Sequence, residues 1–552
     1  MYTLGIDYGS NAVRVLLANA ERGEVLATAA VDYGQAEKGV YSDDKDANVA
    51  RQDADDYLDS LVKACQKLKS YEALSSFDWS LISGIGVDAT GSTPIPVTED
   101  LKPLSTLDKF SDNLNAKAWM WKDHTSEEEA LQITRLAREI RPDFMKTCGG
   151  KYSSEWFWAK LWHCAQVDHE VFDAAFTWVE FSDFIPAILT GVEKSVDVKR
   201  NACAAGHKAL YNSKWGGFPD KEFITQLDKR LGKIADTLPD KALAVDKVAG
   251  YLCEEWAQKL GLSAGVAVAM GALDAHVGAI GSGVNNQTLV KIIGTSTCDI
   301  IVGNDSSAVI EGVSGIAENS VIPGFLGIEA GQSAVGDIFK WYVEKLLDKN
   351  DDAHIVFTEK AQKQKPGQSG LLALDWNNGN RDILSDPSLR GLILGQSLHT
   401  QDFEVYRALI EATAYGAKRI IDQLESSGII IDRIICCGGI PQKNKLFMQI
   451  YADVLNRPVD VAESDETVAL GAAMIGALAG YKSNGEIILL TDLQKRFCKV
   501  SSLSYQPKSE NVTVYAELYK LYLQLHDAFG TPTGSGNLYN VMKQLIQIKN
   551  NI

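Results

Sequence analysis

The chain has 552 residues, of which 45% are hydrophobic and 23% charged, with a formal net charge of −18 at pH 7. That length exceeds what one compact core holds and implies two large domains, while the acidic balance argues against nucleic acid or an anionic membrane as a partner. No apolar run approaches the roughly 20 residues that span a bilayer, and the chain opens on a strand with no basic-then-apolar leader, so a cytoplasmic protein is expected.

The first element is "TLGIDYGSNAVRVLLA", residues 3–18, which reads as a strand, a tight turn and a second strand, with the acid Asp7 close to Gly9 and Ser10. "GEVLATAAVDY" follows as a further strand. A helix is predicted from Asp53 to about Lys69, where Tyr57, Leu58, Leu61, Val62 and Cys65 recur at helical spacing. "LISGIGVDATGSTPIPV" is again a strand that ends in an acid and a Gly/Ser/Thr turn. The stretch from about Trp119 to Lys208 is rich in tryptophan (Trp119, Trp121, Trp156, Trp158, Trp162 and Trp178). Core packing explains most of these rings, and an aromatic-walled cleft is the alternative.

From about Gly265 the strand–turn–strand phrasing returns. "GALDAHVGAIGSG" starts a small-residue helix at Asp274, and "TLVKIIGTSTCDIIVG" repeats the opening phrase without its acid. A helix over about Phe403 to Leu424 leads to the glycine turn of "IDRIICCGGIPQKN", and "VALGAAMIGALAG" is a helix suited to close packing. The tail past about Tyr505 reads helical, breaks at "GTPTGSG" and ends in an amphipathic stretch carrying Val541, Leu545, Ile546 and Ile548. That stretch is a docked terminal helix or, alternatively, the contact of a homodimer. Nine scattered cysteines with no C-x-x-C pair fit buried free thiols better than disulfides or zinc. Alternating strands and helices make the fold α/β, with a mixed or parallel sheet covered by helices.

At an offset of 285 residues, Thr3 falls on Thr288, Gly9 on Gly294, Ser10 on Thr295, and Val15-Leu16-Leu17 on Ile300-Ile301-Val302. This is the mark of an internal duplication. Two Gly-Ser/Thr turns facing one another across a cleft offer N–H groups and hydroxyls to a polyphosphate, and with the third turn they point to a nucleotide. Asp7, replaced by Ile292 in the second half, suits the magnesium that accompanies a triphosphate; a turn-stabilising role is the alternative. Asp274 is placed to act as the base on an acceptor hydroxyl, held ionised with a low pKa by the positive end of its helix, or else is a plain N-cap. Lys208 in "AAGHKAL" and Glu329 in the Gly-rich "GIEAGQSAVGD", both read as turns, can bracket a polyol or lie solvated on the surface. His207 has no accompanying nucleophile pattern.

The phrases "GIDYGSNAVR", "GVDATGSTP", "WKDHT", "YSSEWFWAK", "AGHK", "GALDAHVGA", "KIIGTSTCDI", "PGFLGIEAGQSAVGD" and "CGGIPQKN" resemble, in order and gaps, the FGGY carbohydrate kinases of the actin-like ATPase superfamily. "WKDHT", "SSEWFWAK" and "GTSTCDI" are similar to the branch acting on L-ribulose. The resemblance implies two ribonuclease-H-like domains with a cleft between them, a sugar-binding one over residues 1–262 and a nucleotide-binding one over 263–552. It implies ATP and magnesium as cofactors, small-molecule substrates only, and phosphorylation of L-ribulose at O5, with another pentulose or pentitol kinase (a xylulokinase or D-ribulokinase) or an actin- or chaperone-like ATPase module as the alternatives. By the same resemblance Asp274 is the catalytic base and touches the sugar with Gly91, Lys208 and Glu329. Ser10, Asn11, Arg14, Gly294, Thr295, Gly336, Gly439 and Asn444 bind ATP, and Asp7 serves the metal.

Overall fold

The structure, a computed structural model, describes residues 1–37, 39–304, 310–532 and 538–540. Strand β1 (Tyr2–Tyr8) turns back into the antiparallel β2 (Ala12–Asn19), and β3 (Glu24–Asp32) adds to β2. On its other edge β1 pairs in parallel with β4 (Ile82–Ala89); β5 (Val248–Tyr251) and β6 (Ala267–Ala269) complete the order β5-β6-β4-β1-β2-β3. The two-residue strand Ala272–Leu273 also pairs with β4. β6 and this short strand lie beyond residue 262, where the sequence reading divides the domains.

The second sheet holds β7 (Thr288–Ile293), β8 (Thr297–Gly303), β9 (Gly315–Glu318), β10 (Leu326–Ala330), β11 (Arg433–Cys437), β12 (Val459–Ala462) and β13 (Val500–Tyr505), in the order β9-β10-β8-β7-β11-β12-β13. Its six strands from β10 to β13 match the first sheet from β3 to β5, and each pairing has the same sense in both. This is the expected repeat, with one correction. Gly5 stands opposite Leu16 and Val290 opposite Ile300, so the second hairpin has one residue fewer in its turn and Leu16, rather than Val15, corresponds to Ile300.

Helices α1 (Ala54–Lys69), α2 (Ala202–Lys208), α3 (Asp274–Gly281), α4 (Asp402–Ser426), α5 (Thr467–Ser483) and α6 (Ser509–Gly530) include each helix the periodicity predicts. The Asp53 carboxylate caps α1 by accepting from the Asp55 N–H. The amphipathic stretch at 541–548 lies outside the described residues. All nine cysteines are free thiols. Among the described residues no helix is long and apolar enough to cross a membrane. Trp119, Trp156, Trp158, Trp162 and Trp178 are buried in one cluster, as core packing requires.

Helix α5 is buried over nearly its whole circumference, which its run of Ala and Gly permits. It lies directly on the first sheet: a Cβ added to Gly5 would sit 2.0 Å from the Ala469 carbonyl oxygen, and one on Gly86 1.9 Å from that of Ala472. Helix α3 crosses α5 as closely, with a Cβ at Gly471 falling 2.0 Å from the Val277 carbonyl oxygen. A single apolar cluster joins Leu16 and Ala18 of the first sheet, Val277 and Ile280 of α3, Ala472 and Ile475 of α5, and Val290, Ile300 and Ile435 of the second sheet. The two helices are therefore sandwiched between the sheets. Gly86→Val forces a branched side chain into the α5 backbone, and its expected cost is at least about 2 kcal/mol, read as a lowered urea midpoint. An unchanged midpoint would show that helix and sheet separate freely.

Candidate active site

The strand register assembles an acidic group where the two sheets meet. Asp7, near the end of β1, faces Asp88 of β4 as its parallel partner, and Asp88 in turn pairs with Ala272, two residues before Asp274. Asp7 is buried, with Arg14 Nη1 3.4 Å from its carboxylate and the Arg14 Nε 3.3 Å from Glu466. Burial pushes Asp7 up to about 6, against the pull of Arg14. Burial, and then the charges of Asp7 and Asp274, raise Asp88 well above the ordinary carboxylate value.

Asp274 is the first residue of α3, after Leu273 at the cap position, and accepts from the Ala275 N–H at 2.7 Å. The low pKa expected from the helix end is not found. Burial outweighs that N–H, and with Asp7 and Glu329 nearby it pushes Asp274 up to about 7. A carboxylate so tuned is poised to take up a proton at neutral pH.

The first glycine turn is held from behind. Tyr33 donates its hydroxyl to the Gly9 carbonyl at 2.9 Å, Gln52 Nε2 donates to the Ser10 carbonyl at 2.9 Å, and Trp121 Nε1 donates to Ser10 Oγ at 3.0 Å. Asn11 is exposed at its tip. In the second turn Gly294 and Thr295 are exposed, and their carbonyls accept N–H groups from Gly336 (3.1 Å), Val335 (2.8 Å) and Asp337 (3.1 Å). Gly336 must be glycine, since a Cβ there would lie 2.5 Å from the Gly294 oxygen. Ile440, beside Gly439, also packs on Gly336, so Gly294, Gly336 and Gly439 meet at the end of β7. Asn444 caps the helix Lys445–Leu455, its Oδ1 accepting from the Phe447 N–H at 3.0 Å.

Lys208 and Glu329 are not in turns. Lys208 ends α2, Glu329 lies within β10, and instead of standing apart they pair, with Nζ 3.0 and 3.2 Å from the carboxylate oxygens. Two imidazoles flank the same carboxylate, His207 Nδ1 at 3.5 Å and His276 Nε2 at 3.6 Å. Burial lowers both rings, His276 to about 4, so both are neutral. In spite of burial, the charge and hydrogen bonds of Lys208 hold Glu329 well below the usual carboxylate range. The atoms of His207, His276 and Glu329 lie within 4.8 Å of one another, but the Lys208 ammonium on that carboxylate makes the trio a hydrogen-bonding surface rather than a cation site. Gly91 abuts Leu273, the residue before Asp274, where a Cβ would fall 2.2 Å from Cδ2. The loop after it is fixed by Glu180, which accepts from Ser92 Oγ and from the Thr93 N–H at 2.9 Å, and by Lys160 Nζ, which donates to the Ser92 carbonyl at 2.8 Å.

Sequence reasoning missed Asp88, Trp121, Lys160, Glu180 and His276 as parts of this cleft. Several stood inside the phrases it singled out: Asp88 closes the same strand–acid–turn phrase as Asp7, and Trp121 opens "WKDHT".

The profile of the FGGY family of carbohydrate kinases matches its N-terminal domain to residues 2–281 and its C-terminal domain to residues 289–480. The chain belongs to the FGGY family of carbohydrate kinases. The kinase is 37% identical over 563 residues to a ribulokinase of Halalkalibacterium halodurans, covering 99% of this chain and 97% of that one. It is 38% identical to a ribulokinase of Shouchella clausii, over 99% and 98%. Among solved structures, xylulose kinase from Rhodospirillum rubrum superposes with a TM-score of 0.77 at 20% identity, over 96% of this chain and 99% of that one. Plasmodium falciparum glycerol kinase with ADP gives 0.74 at 17% identity, over 95% and 98%. These two fix the fold of the kinase as that of two FGGY domains flanking a cleft. For the magnesium usual with a triphosphate, Asp7 offers a buried carboxylate, the kind of hard oxygen donor such an ion takes.

Proposed function

We propose that this kinase transfers the γ-phosphoryl group of ATP to O5 of L-ribulose, giving L-ribulose 5-phosphate and ADP. The observation that carries the reading is the near-full-length similarity, at 37% and 38% identity, to two proteins named ribulokinase. Lys208 and Glu329 supply one donor and one acceptor group to the sugar hydroxyls, and the Gly91 backbone closes the same side. Asp274, ionised, takes the O5 proton as the O5–phosphorus bond forms and the bond to the β-phosphate oxygen breaks. Ser10, Asn11 and Arg14 hold the phosphates from the first turn, and Gly294, Thr295, Gly336, Gly439 and Asn444 hold the nucleotide from the second half. Magnesium, when bound beside Asp7, neutralises charge on the phosphates. Residues 1–262 thus supply Gly91 and Lys208 to the sugar, while 263–552 supply the nucleotide contacts and reach across with Asp274 and Glu329. Approach of the two domains would exclude water from the transfer.

ADP release measured with a panel of 2-ketopentoses and with no sugar tests this. L-ribulose is expected to give the highest kcat/KM and the sugar-free rate to be far lower. A higher kcat/KM on another pentulose overturns the substrate, and sugar-independent turnover overturns the transfer. The pH profile is a second check. Asp274 works only when ionised and titrates at about 7, so kcat/KM should climb as pH rises through neutrality and level off above it. A profile flat well into the acid range would remove Asp274 from the base role.

A further inference from the structure

We infer that Asp88 is a second carboxylate seat for the divalent cation, facing Asp7 across the β1–β4 pair, so that the two acids bind the ion together. The inference rests on the reading that Asp7 serves magnesium and extends it to a residue with no role so far.

The strand geometry aims both side chains the same way. Partners in a parallel pair share a face, and residues two apart along a strand return to it. Gly5 and Gly86, also register partners, have their absent Cβ atoms pointing at α5, so Asp7 and Asp88, each two residues on, point to the same interdomain side near the start of α5. Arg14, which reaches both Asp7 and Glu466, the residue just before α5, marks that spot.

Asp88 is a buried acid whose side chain meets another acid, Asp7. It is 0% exposed, and neither of its oxygens accepts a hydrogen bond. Buried acids are ordinarily paired, hydrogen-bonded or bound to a metal. Arg14 is the cation beside Asp7 and is already divided between Asp7 and Glu466, while Asp274 adds a further acid. A hard divalent ion with oxygen ligands would draw both acids into one coordination shell; a phosphate would add further negative charge beside them.

The internal repeat gives an independent argument. In the second sheet the register partners corresponding to Asp7 and Asp88 are Ile292 and Cys437. The half with one acid has both, and the half without the first lacks the second. The two carboxylates behave as one unit, present on one wall of the cleft and absent from the other.

The test uses the full chain without nucleotide. Manganese is titrated as the probe and the free ion followed by electron paramagnetic resonance, for wild type, Asp88→Asn and Asp7→Asn. Asp88→Asn is expected to weaken manganese binding about tenfold or more. Weakening in Asp7→Asn alone leaves the Asp7 reading standing and overturns this one; no weakening in either variant, or no binding by wild type, overturns both. Thermal unfolding gives a second readout that needs no activity. In EDTA Asp88→Asn should melt at or above wild type, because the amide keeps the shape of the buried acid and adds no charge. Added magnesium should raise the wild-type midpoint and leave the variant where it was. An equal rise in both overturns the proposal, and Asp88→Ala provides the same pair of readings if the amide is not tolerated.

Discussion

Asp274→Asn is expected to lower kcat by about 10³-fold while the dissociation constant for L-ribulose stays within a few-fold of wild type. The amide matches the carboxylate in size and still accepts a hydrogen bond from the Ala275 N–H that now meets the acid at 2.7 Å. The start of α3 therefore keeps its shape, and the Lys208–Glu329 pair is untouched. What the amide cannot do is take up a proton. Because the wild-type acid titrates at about 7, the variant reproduces the protonated enzyme that already exists in acid, so its residual rate should lose the rise with pH through neutrality. Coupled assay of ADP release gives kcat, and calorimetry gives the sugar affinity. Turnover near the wild-type rate would show that the proton leaves by another route.

Lys208→Ala should raise the KM for sugar on the order of 10²-fold, with the KM for ATP little changed. Truncating one member of a buried charge pair typically costs about 2–5 kcal/mol, most of it from the charge left behind. Here that charge is Glu329, with neutral imidazoles at 3.5 and 3.6 Å as its remaining company. The imidazoles offer a way to separate electrostatics from lost contact. With Lys208 gone, the pull on both rings is towards protonation, since Glu329 raises them and Lys208 lowers them. The sugar affinity of the variant should therefore recover in part as pH falls, whereas that of the wild type should not. A change confined to ATP affinity would place Lys208 outside the sugar site.

Much of this architecture is legible along the chain. The strand–turn–strand phrases announce both hairpins, and the small-residue runs announce α3 and α5, because strand alternation and helical period are local. The cleft is less so. Asp88 gains its meaning from lying opposite Asp7, and that register joins residues 81 positions apart in the chain. Lys208 and Glu329 are 121 residues apart, and read singly each looks like a surface charge. The titration of Asp274 was misjudged because the helix end that favours its charge is visible in sequence, while the burial that opposes it depends on how two sheets close over the site. The one-residue difference between the hairpins escaped for a related reason: apolar residues flank both turns, and only the pairing shows which of them face each other.

The contact of α5 with the first sheet makes the two halves inseparable. Gly5, Gly84 and Gly86 form a trough lined by backbone, and the helix that fills it comes from the far end of the chain. A fragment stopping after Gly281 would be left with an open groove bare of side chains, and one starting at Thr288 would carry a greasy helix with nothing to lie on. Synthesised separately, such pieces are natural partners for fragment complementation; during synthesis, the first half must wait for the second before its own sheet is covered.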